Sequence, residues 1–145
     1  MAAFQRSLTQ WDAFVVLRTI FQQARQSITI IDAYADGMVF QLLAPHAQAR
    51  LRIEILCSRY ATAVAAEAKR FVAQFPTITI EVRSSIREFH DRFVILDQQD
   101  CVHIGASIRD AGSTAFMISK VEDEANRLVL IASMNQAWAN ATVVP

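Results

Sequence analysis

Glycine and proline are scarce in this chain of 145 residues, with three of each. So few glycines leave little room for a Walker-A phosphate loop or a G-x-G-x-x-G turn, and neither pattern occurs. Cysteine is limited to Cys57 and Cys101, each inside an apolar run, which implies reduced core thiols rather than a disulfide framework. His46, His90 and His103 show no zinc-type spacing with those cysteines, so neither a metal nor another cofactor is expected. Apolar runs are broken by Arg, Glu or Gln well before the roughly twenty residues needed to cross a bilayer. The N-terminus lacks a basic region followed by an apolar core and a small-residue cleavage site, so the expected location is cytoplasmic, without a membrane partner. Net charge is also absent, which argues against nucleic-acid binding driven by bulk charge. Lysine is rare, with two against twelve arginines.

Apolar residues make up 53% of the chain, enough to exclude disorder, and the length suits one domain with a sizeable core. Ser7-Leu8-Thr9-Gln10 reads as the capping box of a helix running to about Arg25, with Leu8, Trp11, Phe14, Val15, Ile20 and Phe21 at helical spacing. A strand is expected over 27–33. A short helix follows over 37–44, with Asp36 as its N-cap and Pro45 just beyond. Another strand covers 51–57, and an Ala-rich helix from Ala61 ends by Phe75 because Pro76 disfavours helix at the preceding residue. Ile78, Ile80 and Val82 alternate with polar residues, as in a half-buried strand. A loop over 84–88 leads to strands at 90–97, 100–104 and 115–119. A helix over 123–140, capped by the acidic run Glu122-Asp123-Glu124, closes the chain. This order predicts an α/β fold, a mixed β-sheet flanked by helices. Trp11 and Tyr34 are expected in the core rather than as base-stacking platforms, and His103 as a structural histidine.

One stretch reads as chemistry: Phe89-His90-Asp91-Arg92-Phe93-Val94-Ile95-Leu96-Asp97, in which His90, Arg92 and Asp97 stand as H-x-R-x-x-x-x-D. Phe93 to Leu96 is an apolar run of the kind that fills a buried strand. Alternate side chains on a strand share a face, so His90 and Arg92 point the same way. An imidazole nucleophile beside a guanidinium that holds phosphate oxygens is suited to attack on phosphorus. Asp97 lies at odd spacing from Arg92, which suits a structural role better than contact with the reacting group. The competing reading is a strand with a satisfied core histidine and solvated ends. Arg83, Arg87, Arg92 and Arg109 gather near the motif, and arginine favours bidentate phosphate contact. Ser107 lacks the G-x-S-x-G context of a hydrolase nucleophile.

The segment resembles the signature of the phospholipase D superfamily, H-x-K-x-x-x-x-D, with Arg92 where lysine is usual. Downstream, Cys101-Val102-His103-Ile104 is similar to the family's short strand, and Gly105-Ala106-Ser107-Ile108-Arg109-Asp110 to its small-residue turn. Ser107 matches the family serine, and Asp110 stands where asparagine is usual. Upstream, Ile28 to Ile31 followed by Asp32, Ala33, Tyr34, Ala35 and Asp36 resembles the family's early strand leading into a helix.

This resemblance implies a single phospholipase D-like domain over 1–145, corresponding to one half of a two-motif protein. It implies a catalytic set of His90, Arg92 and Asp97, with Ser107, Arg109 and Asp110 binding substrate and no metal. Family members use two such motifs, one histidine attacking phosphorus and the other protonating the leaving oxygen, through a covalent phosphohistidine. With one motif, this chain is expected to form a homodimer through the edge of the sheet, completing the site across a two-fold axis. The implied activity is a metal-independent, nuclease-like phosphodiesterase. Nucleic acid is favoured over lipid as substrate, since no membrane-binding stretch is present. Arg92 also supports an alternative: a catalytically impaired module kept for dimerisation or phosphate-backbone binding, within a larger DNA-acting protein. Ser119 and Glu122 are both candidates for orienting His90.

Overall fold

A computed structural model describes residues 6–8, 10–85, 89–113 and 116–145. Three strands, β2 (Ser27–Ile31), β3 (Leu51–Cys57) and β4 (Ile78–Ser84), run parallel. Between them the chain crosses over through α2 (Met38–Leu43) and α3 (Ala61–Gln74). β5 (Phe93–Leu96) pairs antiparallel with β2 and is buried along its whole length, as its unbroken apolar sequence requires. β6 (Asp100–Ile104) and β7 (Phe116–Lys120) continue antiparallel. Two very short strands, β1 (Arg6–Leu8) against β7 and β8 (Thr142–Val143) against β4, complete an eight-stranded sheet of order β1-β7-β6-β5-β2-β3-β4-β8. The expected mixed sheet flanked by helices is therefore observed.

Each face of the sheet has its own core. On one, Ile28, Ile30, Ile53, Ile55 and Val94 pack against α1 (Gln10–Gln22), α2 and α3 through Leu17, Phe21, Leu42 and Val64. On the other, Ile31, Leu56, Phe93, Ile95 and Cys101 pack beneath α4 (Glu124–Asn140) through Ile131 and Trp138. Burial pushes the thiol of Cys57 up to about 12 and that of Cys101 to about 11, so both are unreactive core groups.

Several boundaries differ from the sequence reading. The expected capping box does not start a helix: Ser7 lies in β1, paired with Met117, and α1 begins at Gln10. Pairing with β7 overrides the local capping signal there. Asp36 does not cap α2 as its N-cap; Gly37 holds that position, while the Asp36 carboxylate accepts from the Met38 amide at 3.0 Å. The motif strand starts at Phe93, so His90 and Arg92 lie on the extended approach to it. Trp11 and Tyr34 are 64% and 39% exposed, not core aromatics. His103 is half-buried, edge-on to Phe93 at 5.2 Å, in keeping with a structural histidine. Asp123 caps α4 by accepting from the Asn126 amide at 2.9 Å, as the acidic run suggested. Part of the 84–88 loop, including Arg87, lies outside the described residues.

Candidate active site

Open α/β sheets gather ligands beyond the carboxyl ends of their parallel strands, where loops leave the layer. Here that rim receives three segments. Asp32 follows the last residue of β2, Arg92 precedes the first residue of β5, and Gly105 to Ser107 follow β6. The Ile104 amide donates to the Arg92 carbonyl at 3.0 Å, so the β5–β6 ladder extends one residue to fix Arg92. Gly105 is required by close approach: a Cβ there would meet the Met117 amide nitrogen and carbonyl oxygen at 3.2 Å each.

Asp32 is the centre of the arrangement. It is fully buried and accepts from the Tyr34 amide at 3.1 Å, the Ser107 hydroxyl at 2.9 Å and the Ile108 amide at 2.6 Å. The Arg92 Nε lies 3.8 Å from Oδ1, the oxygen that also accepts from Tyr34, as an ion pair. Burial raises the Asp32 pKa; the three donors and Arg92 oppose that shift without cancelling it. The ion pair orients Arg92, whose side chain keeps 26% exposure at the rim. His90, two residues earlier on the extended approach, is exposed, and among the described residues no hydrogen bond holds its ring.

The other expected site residues separate into two groups. Ser107 is 3% exposed, donates a hydrogen bond from its hydroxyl to Asp32 and accepts from the Arg109 amide at 3.2 Å, capping the 3-10 turn Ile108–Asp110. It buttresses the rim from inside. Arg109 and Asp110 sit at the surface, 3.6 Å apart from Nε to Oδ1. The Arg109 guanidinium also donates to the Tyr60 hydroxyl at 2.9 Å, a bond that raises its pKa further.

Asp97 is not brought to this cluster. It lies at the opposite end of β5, about 16 Å from Arg92 at strand rise, in a left-handed conformation with φ of 55°. Its carboxylate accepts from the amides of Arg25, Gln26 and Ser27 at 2.7–3.2 Å. Burial would raise its pKa, but those three bonds outweigh it and hold the group below the usual carboxylate value. Neither candidate for orienting His90 bonds to it among the described residues. Ser119 faces His103 across the β6–β7 pair, and Glu122 is exposed before α4. A cavity of about 560 Å³ lies on the other face of the sheet, lined by Ile31, Leu56, Phe89, Asp91 and Met134 among others. Beside the motif it is lined by Phe89 and Asp91, and neither His90 nor Arg92 lines it.

Asp32 and Tyr60 were not singled out from sequence. A signal existed for Asp32, a lone charge directly after an apolar run, at the carboxyl end of what proved to be a parallel strand. Tyr60, some thirty residues from the motif, carried none.

The fold is shared with solved phospholipase D family structures. The structure superposes on the phospholipase D family member Nuc from Salmonella typhimurium with a TM-score of 0.69 at 14% identity, covering 98% of this chain and 97% of that one. It matches NucT from Helicobacter pylori with a TM-score of 0.71 at 12% identity, covering 98% of each. TrmBL2, an archaeal chromatin protein whose structure shows a mode of DNA binding, matches with a TM-score of 0.65 at 12% identity; 96% of this chain is covered, and it spans 54% of TrmBL2. The sequence itself matches no protein-family model and no curated protein.

Proposed function

We propose that the chain is a metal-independent phosphodiesterase acting on nucleic acid, with a site completed by a second copy. The observation that carries this reading is Arg92, held at the rim by buried Asp32, with exposed His90 two residues before it. In this scheme the His90 imidazole attacks phosphorus, forming a P–N bond as the P–O bond to the leaving group breaks. The leaving oxygen takes its proton from the partner's His90, acting as general acid. That same imidazole then removes a proton from water, which attacks phosphorus and releases His90. Arg92 of each copy offsets charge on the phosphoryl oxygens.

The fold constrains how such a dimer forms. β5 is the fourth strand of eight, three positions from β1. Pairing two sheets through their β1 edges would separate the two β5 strands by seven spacings, roughly 34 Å at about 4.8 Å each. Pairing through β8 would separate them further. One phosphate cannot be shared over that distance, so the expected edge-to-edge dimer gives way to a two-fold passing over the strand ends beside His90.

The test is cleavage of a phosphodiester substrate in excess chelator, beside His90→Ala, with the molar mass followed by light scattering. Chelator-resistant cleavage by a dimer, lost in a folded His90→Ala, is expected. A stable monomer, or activity that returns only with added divalent metal, would overturn the scheme. The likeness to TrmBL2 favours a second reading, a non-cleaving module that binds phosphate backbones; substrate binding without turnover would establish it.

A further inference from the structure

We infer that Tyr34, backed by Arg109 and Tyr60, is a stacking platform for an unpaired nucleobase next to the phosphate site. This rests on the nucleic-acid reading above and adds that the preferred substrate is single-stranded.

Tyr34 follows Asp32 by two residues, and its amide is one of the three donors to that carboxylate. Its backbone is therefore tied to the same frame that orients Arg92. It is a large aromatic side chain left 39% exposed; Trp11, at 64%, is more exposed but lies on α1, and the other described aromatics are buried or half-buried. The Arg109 guanidinium lies over the Tyr34 ring at 5.4 Å and over the Tyr60 ring at 5.8 Å, and it donates to the Tyr60 hydroxyl. Arg109 thus bridges two aromatic rings from two different loops and holds them in one assembly.

Charge decides what such an assembly accepts. Arg109 is already engaged by the Tyr60 hydroxyl and faces the carboxylates of Asp110 and Asp36. One cation set against two carboxylates is a poor place for a phosphate and a suitable one for a neutral flat ring. The phosphate then belongs at His90 and Arg92, and a neighbouring base on Tyr34. In a duplex both faces of each base are covered by neighbours in the stack, so only an unpaired base can use the platform. This role replaces direct substrate phosphate binding for Arg109 and Asp110, which act on Tyr34 instead.

The test compares a short single-stranded oligodeoxynucleotide with an abasic strand of equal length and charge, by fluorescence anisotropy, in a His90→Ala background that blocks cleavage. The normal strand should bind about five- to a hundredfold more tightly than the abasic one, the usual worth of a stacked base. Tyr34→Phe should retain that ratio, while Tyr34→Ala and the bulk-conserving Tyr34→Leu should bring it to one without changing affinity for the abasic strand. Equal binding of both strands to the parent, or a ratio unchanged in folded Tyr34→Leu, overturns the platform while leaving the phosphate site standing. Tighter binding of duplex than of single strand also overturns it. Failure of every strand to bind would instead remove the nucleic-acid reading on which it rests.

Discussion

Asp32 and Asp97 stand at opposite ends of the antiparallel pair β2–β5, and each accepts hydrogen bonds from three different residues. Their titrations nonetheless move in opposite directions, Asp32 up and Asp97 down. The number of donors is therefore not what separates them. Asp32 is fully buried, so the cost of removing its charge from water exceeds what its donors and Arg92 return. Asp97 stays partly in solvent, and the same kind of bonding prevails. One end of the strand pair places a charged group where its surroundings are under tension and a cation is steered to the rim. The other end ties the α1–β2 turn to the start of the next hairpin. Under the proposed function, the H-x-R-x-x-x-x-D pattern thus spans two jobs, chemistry at its beginning and anchoring at its end.

Asp32→Ala should show the largest effect. It leaves the Ile108 and Tyr34 amides and the Ser107 hydroxyl without their acceptor and strips Arg92 of its counter-charge. A loss of about 2–4 kcal/mol in urea unfolding is expected, together with weaker phosphate binding. A loss under about 1 kcal/mol would mean the cluster is not held as described. Asp97→Ala should cost somewhat less, about 1.5–3 kcal/mol, since its bonds are charge-assisted but solvated. Its binding of inorganic phosphate per folded molecule should stay within about twofold, which isothermal titration can check; a large loss there would join the two ends functionally.

Arg92→Lys is expected to lower phosphate affinity or cleavage about ten- to a hundredfold, because lysine cannot reproduce a guanidinium's charge-assisted, bidentate contact to phosphate. Arg92→Ala should be worse. A rise in cleavage with lysine would instead mark arginine as an impairing substitution, and the non-cleaving module would become the better reading. The smallest effects should appear in pH dependence, measured as melting temperature against pH. Asp97 is depressed, so its contribution is full above the ordinary carboxylate value of 3.8 and is lost as pH falls through its folded pKa. Asp32 is raised, so acidification relieves it: stability grows as pH falls from its folded pKa toward 3.8. The melting difference between parent and Asp97→Asn should shrink on acidification, and that between parent and Asp32→Asn should move the other way. Parallel curves would break the contrast.

Much of the framework could be read from residue pattern alone. β3 falls on 51–57 and α3 ends just before Phe75, where closely spaced apolar residues and Pro76 leave little choice. The misplaced elements are those decided by distant partners. β1 exists through its pairing with β7, more than a hundred residues on, and β8 through its pairing with β4. The site divides likewise. His90 and Arg92 lie two residues apart and their spacing was informative. Asp32 had a local signal in its place after an apolar run, but its partners, Tyr60 and the exposure of Tyr34 depend on how the β2, α3 and β6 loops converge, which no local pattern encodes.

The bonds from Ser107 and Ile108 to Asp32 join positions 75 and 76 apart, and those to Asp97 join positions 70 to 72 apart. Contacts so distant along the chain give little return until large loops have closed, and such topologies fold slowly. During synthesis, β2 and its βα partners are available well before residue 107 has been made. Asp32 is then a carboxylate at the end of a forming strand, with neither its cation nor two of its three donors. The rim is thus completed late, by the segment that also delivers Arg109 to Tyr34. A folding intermediate would contain a nearly complete parallel half-sheet and no working site, so any capacity to bind nucleic acid would be acquired in the last step of folding.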